Sequence, residues 1–393
     1  QDAILAKPEQ RNAFQWQMYY KAKPQVEFPV EEAAKRLKGD ERQRWADLEA
    51  QLKAFDSIKP VEMPVAQAMI DNGSDSPKSY VLSGGAYDAK GDEVQPGFLS
   101  ILDPGDAKVV PTASGTTGRR SALAEWLASP DNPFTARVMV NRVWHYHFGR
   151  GIVGTTSNFG ALGDRPTHPE LLDTLAVRFI EAGWSIRWLH RELMLSAAYQ
   201  LASTSEPGNA EKDAENQYLW RYAPRRLDFE AWRDAWLAVS GRLDPKVGGP
   251  SLELGQPDNA RRTIYAKVSR LEANKLMVLF DFPDANVTSD RRSVTTVPQQ
   301  QLFVLNSDFT INTARAFARR LEKAAADPEA RVALAFRLAY GREPSRAEKD
   351  ASLAFVRDAG KPDAGKAPMA DRLAPWEQFA QAILAANEFM WVD

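Results

Sequence analysis

From Ser121 to the C-terminus the sequence is a succession of amphipathic helical stretches punctuated by Gly and Pro, and this constrains the fold more than any other feature. "SALAEWLAS" reads as a short helix stopped by Pro130. "NPFTARVMVNRVWHYHFG" reads as a second, ending on Gly149, a residue suited to the left-handed turn that closes a helix. "THPELLDTLAVRFIEAG" follows, with Thr167 and Glu170 spaced for a capping box and Gly183 as its stop. "SIRWLHRELMLSAAYQ" has Ser185 in the N-cap position. After a polar stretch near 203–216 comes "DFEAWRDAWLAVSG", and beyond residue 300 helices resume through "FTINTARAFARRLEKAAA", "EARVALAFRLAYG", "SRAEKDASLAFVRDA" and "PWEQFAQAILAANEF". The expectation is a mainly α protein: a multi-helix, bundle-like domain with a small β-containing or irregular insert.

Three regions follow. Residues 1–60 read as a helical arm, with charge pairs at helical spacing and a break near Gly39. Residues 61–117 carry Pro, Gly and short β-type runs, and end in the linker "TASGTTGRR", whose last residues run on into the next region. Residues 118–393 form the helical domain. Within it, 243–300 is irregular and rich in Gly, Pro, Asp and Asn, with "RRTIYAKV" expected as a strand and "AGKPDAGKAPMADR" further on as a surface loop. An irregular stretch that long inside a compact domain points to function.

Composition excludes several classes. Fifty basic residues oppose 52 acidic ones, so no bulk charge draws the chain to nucleic acid or an anionic membrane. There are no cysteines, which excludes disulfides, thiolate metal sites, a cysteine nucleophile and c-type haem attachment within this chain. No window of about eighteen apolar residues occurs, so no transmembrane segment is expected. The start, "QDAILAKPEQ", lacks the pattern of a signal peptide and reads like a mid-chain beginning.

The chain has four histidines. In "NRVWHYHFG" a helix turns His145 and His147 to nearly opposite sides, so the pair cannot chelate one ion. His147 shares a face with Val140 and Trp144. His168 falls in the first turn of its helix, where free N–H groups favour an anion. His190 lies four residues after Ile186. Convergence of His147, His168 and His190 would make a catalytic site and hold a divalent metal, Zn²⁺ or Ca²⁺, with an open position. The competing use of each ring is packing or local hydrogen bonding. The loop "FDFPDANVTSDRR" brings Asp281, Asp284, Asn286 and Asp290 together as oxygen donors for Ca²⁺, or as a structural turn. Arg142, Arg150, Arg225, Arg226, Arg233, Arg291 and Arg292 stand beside Trp, Asp or Gly-rich turns. Their forks suit carboxylates and sulfates, or internal pairing to Asp228, Glu230, Asp234 and Asp281. The expected ligand-facing set is Asn141, Arg142, Trp144, Arg226, Arg233, Arg291 and Arg292.

"RSALAEWLASPDNPFTARVMVNRVWHYHFGRGIV", "THPELLDTLAVRFIEAGWSI", "LHRELMLSAAYQ", "RRLDFEAWRDAWLAVSG", "FDFPDAN", "TTVPQQQLFVLNS" and "ANEFMWVD" occur in an order that resembles a planctomycete-type C-terminal domain of unknown function, number fifteen fifty-three. Residues 1–60 resemble the tail of its usual companion domain. Asn141, Arg142, His147, His168, His190, Arg226, Arg233 and Asn306 match that family's pattern, whereas His145 stands where variety is expected. The resemblance implies a periplasmic or extracellular setting, a cytochrome-c-like domain upstream, and neighbourhood with sulfatases and polysaccharide-degrading genes. It implies no established reaction. The resulting expectation is a protein that binds or degrades an acidic or sulfated polysaccharide; the alternative is a non-catalytic cell-surface scaffold or accessory module of a cytochrome-containing protein.

Overall fold

The computed structural model describes residues 2–26, 35, 37–60, 68–69, 71, 73–103, 105–111, 115–256, 259–361 and 373–392. The fold is mainly α. The chain divides into two compact units, Gln1–Thr135 and Ala136–Asp393, so the helix that starts at Arg119 belongs to the first unit rather than opening the second.

In the first unit, helices α1 (Ala13–Val26) and α2 (Gly39–Lys53) bury no residue. The break expected near Gly39 coincides with the start of α2; much of the stretch before it, 27–34 and 36, lies outside the described residues. The expected β-containing insert is an antiparallel pair, β1 (Ser79–Leu82) and β2 (Lys90–Val94), in register Ser79↔Val94 and Tyr80↔Glu93. Residues 61–67 and 112–114 of that region are outside the description. Helix α3 (Arg119–Leu127) is anchored at its start. Asp71 accepts from the Thr117 backbone and hydroxyl at 2.8 and 2.7 Å and from Arg120 at 2.8 Å.

The second unit has two apolar cores. Helices α4 (Thr135–Phe148), α5 (Pro169–Glu181) and α6 (Ile186–Met194) build the first, around Val140, Phe148, Ile152, Leu172, Phe179 and Leu189. Helix α4 ends at Gly149, whose φ of +79° is open to glycine at little cost. Ser185 caps α6 by accepting from the Trp188 N–H at 3.2 Å. The capping box expected at Thr167 does not form. Thr167 instead donates to the Ile152 carbonyl from both its N–H and its hydroxyl, and His168 becomes the N-cap of α5 without a side-chain cap.

The second core gathers α7 (Phe229–Val239), α8 (Lys275–Leu279), α9 (Pro298–Asn306), α10 (Asp308–Ala324), α11 (Pro328–Tyr340) and α13 (Pro375–Ala385). α12 (Arg346–Ala359), which opens with a Ser345–Glu348 capping box, lies against them. Its buried centre includes Trp232, Trp236, Phe317, Leu321, Val332, Ala380 and Leu384. The segment expected as a strand, 261–268, is a 3₁₀ turn (Thr263–Tyr265) flanked by isolated bridges. The cause is α7: Asp234 accepts from the Thr263 N–H and hydroxyl, both at 2.7 Å, and draws the chain into a turn. A two-residue ribbon, β3 (Arg225–Arg226) against β4 (Trp391–Val392), pairs Arg226 with Trp391 and brings the C-terminal segment beside the start of α7. The expected surface loop at 359–372 falls, from 362 on, outside the described residues.

Candidate functional site

A cleft of about 940 Å³ lies in the second unit. The end of α4 and the following turn supply Trp144, His145, Tyr146 and Arg150. His168 comes from the cap of α5, and Glu215 and Gln217 from the loop beyond α6. Arg225 and Arg226 come from β3, Asp228 from the cap of α7, Asp290, Arg291 and Arg292 from the irregular region, and Trp391 from β4. Arg150, Arg225, Arg226, Arg291 and Arg292 therefore face Glu215, Asp228 and Asp290, a positive excess in a chain whose net charge is −2.

Most of these charges hold one another. Arg292 grips Glu230 through two bonds of 2.6 and 2.8 Å; burial pushes the Glu230 carboxyl up, but the guanidinium outweighs this and holds it below its ordinary value. Arg150 pairs with Glu215 at 3.1 Å. Hydrogen bonds from Gln217 and then Arg150 keep that carboxyl low. Arg226 donates to the Thr295 carbonyl and, at 3.0 Å, to Gln300. Asp290 accepts from the Thr156 hydroxyl at 2.8 Å, which holds its carboxyl below the ordinary value.

Two arginines are less committed. Arg225 donates to the Tyr146 carbonyl, but its Nε–H is buried with no acceptor among the described residues. Arg291 is exposed, and among the described residues its guanidinium makes no hydrogen bond or ion pair. Tyr146 and Trp391 stand 51% and 44% exposed at the same cleft, the Tyr146 ring edge-to-face with His145 at 5.5 Å. Trp144 also lines it but is buried, stacked on Phe148 at 4.2 Å.

The three histidines expected to converge do not form one site. His147 Nε2 and His190 Nδ1 hydrogen-bond directly at 2.7 Å, with the His147 ring packed edge-on to Tyr199. His168 lies at the cleft, its Nδ1 2.9 Å from the Thr167 hydroxyl, whereas His147 and His190 are not part of that wall. Among the described residues no group of three His, Asp or Glu side chains is arranged to hold a metal ion. The Zn²⁺ expectation therefore finds no ligand set here, and neither does the Ca²⁺ loop. Asp281 is spent on Thr295 at 2.9 and 2.6 Å, Asp284 on Asn286, and Asp290 on Thr156.

Two residues of the expected ligand-facing set are structural. Asn141 is fully buried; its amide donates to the Val153 carbonyl at 3.0 Å and accepts from the Val153 N–H at 2.8 Å. Arg233, 1% exposed, donates to the Arg261 and Asn259 carbonyls and to the Thr263 hydroxyl, and lies over the Phe309 ring. Neither lines the cleft. Arg142 is exposed but lies off the cleft. Arg226, Arg291, Arg292 and Trp144 do line it. Asn306, matched to the family pattern, donates to the Leu302 carbonyl of its own helix.

Sequence reasoning missed His145, Tyr146, Asp290 and Trp391 as cleft residues. The resemblance favours His147 over His145, whereas the helical divergence of the two turns His147 inward and His145 to the cleft. Burial, then the charge of Arg291, lowers the His145 pKa. The only signal for Trp391 was its place in the closing "ANEFMWVD".

Residues 119–356, more than half of the chain, match the family model PSD1, described as Protein of unknown function (DUF1553). The chain belongs to this family. The DUF1553 match holds all of the cleft but Trp391. No curated protein and no solved structure matches the chain.

Proposed function

We propose that this DUF1553 protein binds an acidic or sulfated polysaccharide in the arginine-lined cleft, in an extracytoplasmic setting. The observation that carries the reading is the Arg291 guanidinium, exposed at the cleft and without a hydrogen bond or ion pair among the described residues, beside the exposed rings of Tyr146 and Trp391. Guanidinium forks match carboxylates and sulfates, and aromatic faces match the apolar faces of sugar rings. Binding is favoured over hydrolysis. A glycosidase needs two carboxylates free to flank the bond, and of the three at the cleft Glu215 and Asp290 are already engaged by Arg150, Gln217 and Thr156, which leaves Asp228 alone. A glycan array printed with sulfated, uronate-containing and neutral chains tests this. Sulfated and uronate chains should bind at low salt and fade at high salt, neutral chains should not bind, and Arg291→Ala should weaken binding by roughly tenfold. Equal binding of neutral chains, or none to any chain, would refute it.

A second reading, a non-catalytic cell-surface scaffold, rests on the first unit. Helices α1 and α2 bury nothing and expose Phe14, Tyr20, Leu48 and Leu52, as a surface awaiting a partner would. An empty array would favour it.

A further inference from the structure

We infer that His145 and Arg291 form an anion subsite within the cleft, where the imidazole takes up one proton from solvent as a sulfate or carboxylate group binds. The inference deepens the polysaccharide reading and rests on it for the identity of the ligand, though not for the anion chemistry.

The loop carrying Arg291 is fixed on both sides. Thr156 holds Asp290, Glu230 holds Arg292, and Asp281 accepts from the N–H and hydroxyl of Thr295 at 2.9 and 2.6 Å. Each charged side chain of that loop has a partner except Arg291, whose backbone the anchors fix at the cleft wall and whose exposed guanidinium makes no hydrogen bond or ion pair among the described residues. A guanidinium carried on a fixed backbone at a cleft, with no bond to a carboxylate, has its donors open to an anion.

His145 reaches the same cleft from α4 and differs from the other three histidines. His147 and His190 are bonded to each other and His168 to Thr167, while the His145 ring nitrogens make no hydrogen bond among the described residues. The charged groups acting on it are Arg291 and Asp290 from the anchored loop, Arg225 from β3 and Asp228 from the cap of α7. Partial burial and the Arg291 charge together keep the free imidazole neutral to a lower pH than an ordinary histidine. An anion on Arg291 removes that repulsion and gives an imidazolium a partner, so binding and protonation reinforce each other.

Histidine-selective NMR on the full chain tests this, with inorganic sulfate as the probe and His145→Gln to assign the resonance. The His145 pKa should rise on saturation with sulfate by an amount equal to about a tenfold gain in proton affinity. Sulfate affinity should then fall by the same factor as pH rises through that interval, and be flat in His145→Gln. Arg291→Ala should abolish the sulfate-induced shift and move the free His145 titration towards the ordinary value. Absence of sulfate binding, an unmoved His145 titration, or a pH-independent affinity in the wild type would overturn the inference. A sulfate-linked shift with an empty glycan array would uphold the subsite and remove the polysaccharide reading. Glycan binding with an unmoved His145 would do the opposite.

Discussion

At the residue scale, the four histidines show how little a side chain's identity says before its neighbours are known. Helical geometry correctly separates His145 from His147. Which of the two would meet a cleft depends on Arg225, Asp290 and Arg291, which are distant in sequence and invisible to local periodicity. Asn141 and Arg233, expected to face a ligand, are buried and hold backbone. The His147–His190 pair has its own consequence. A direct N···N hydrogen bond needs one ring neutral, and burial, followed by repulsion from His190, depresses the His147 pKa. The unfolded chain therefore binds that proton more tightly than the folded one. The pair's stabilisation is present above the ordinary histidine pKa and is lost as pH falls below it. The urea midpoint should drop between roughly pH 7.5 and roughly pH 5.5, and drop less in His190→Gln, where the repulsion is gone. Equal drops would contradict this account of the pair.

At the scale of elements, helices were the most legible part of the sequence. Their apolar period, the Gly149 and Gly183 stops and the Ser185 cap are local signals, and each agrees with its tertiary setting. Legibility failed where a distant group took over a local donor: Ile152 took Thr167 from its capping box, and Asp234 bent the expected strand at Thr263. Helix α4 is the element the cleft depends on most. Asn141 clips the returning chain at Val153, and Gly151 has no room for a side chain, since a Cβ there would lie 2.4 Å from the Val153 carbonyl oxygen. Asn141→Ala leaves a buried N–H and C=O unpaired and should cost about 2–4 kcal/mol in urea unfolding. A cost under about 1 kcal/mol would mean that the turn is held by something else.

At the scale of the whole molecule, the near balance of charge hides a local excess. Fifty basic residues against 52 acidic ones argue against long-range attraction to polyanions, yet five arginines share one cleft with three carboxylates. Only the fold assembles them: β3 comes from mid-chain, the Arg291 loop from the irregular region, and Trp391 from the end of the described chain. Among the described residues no helix is long and apolar enough to cross a membrane. Calorimetric titration of one neutral-backbone oligosaccharide in matched sulfated and desulfated forms tests whether this cleft recognises the anionic groups of a glycan. The sulfated form should bind the wild-type protein, weaken as salt is raised, and lose roughly tenfold in Arg291→Ala, while the desulfated form should give no measurable heat. Equal affinity for the two forms, or an Arg291→Ala protein that binds as the wild type does, would contradict that recognition.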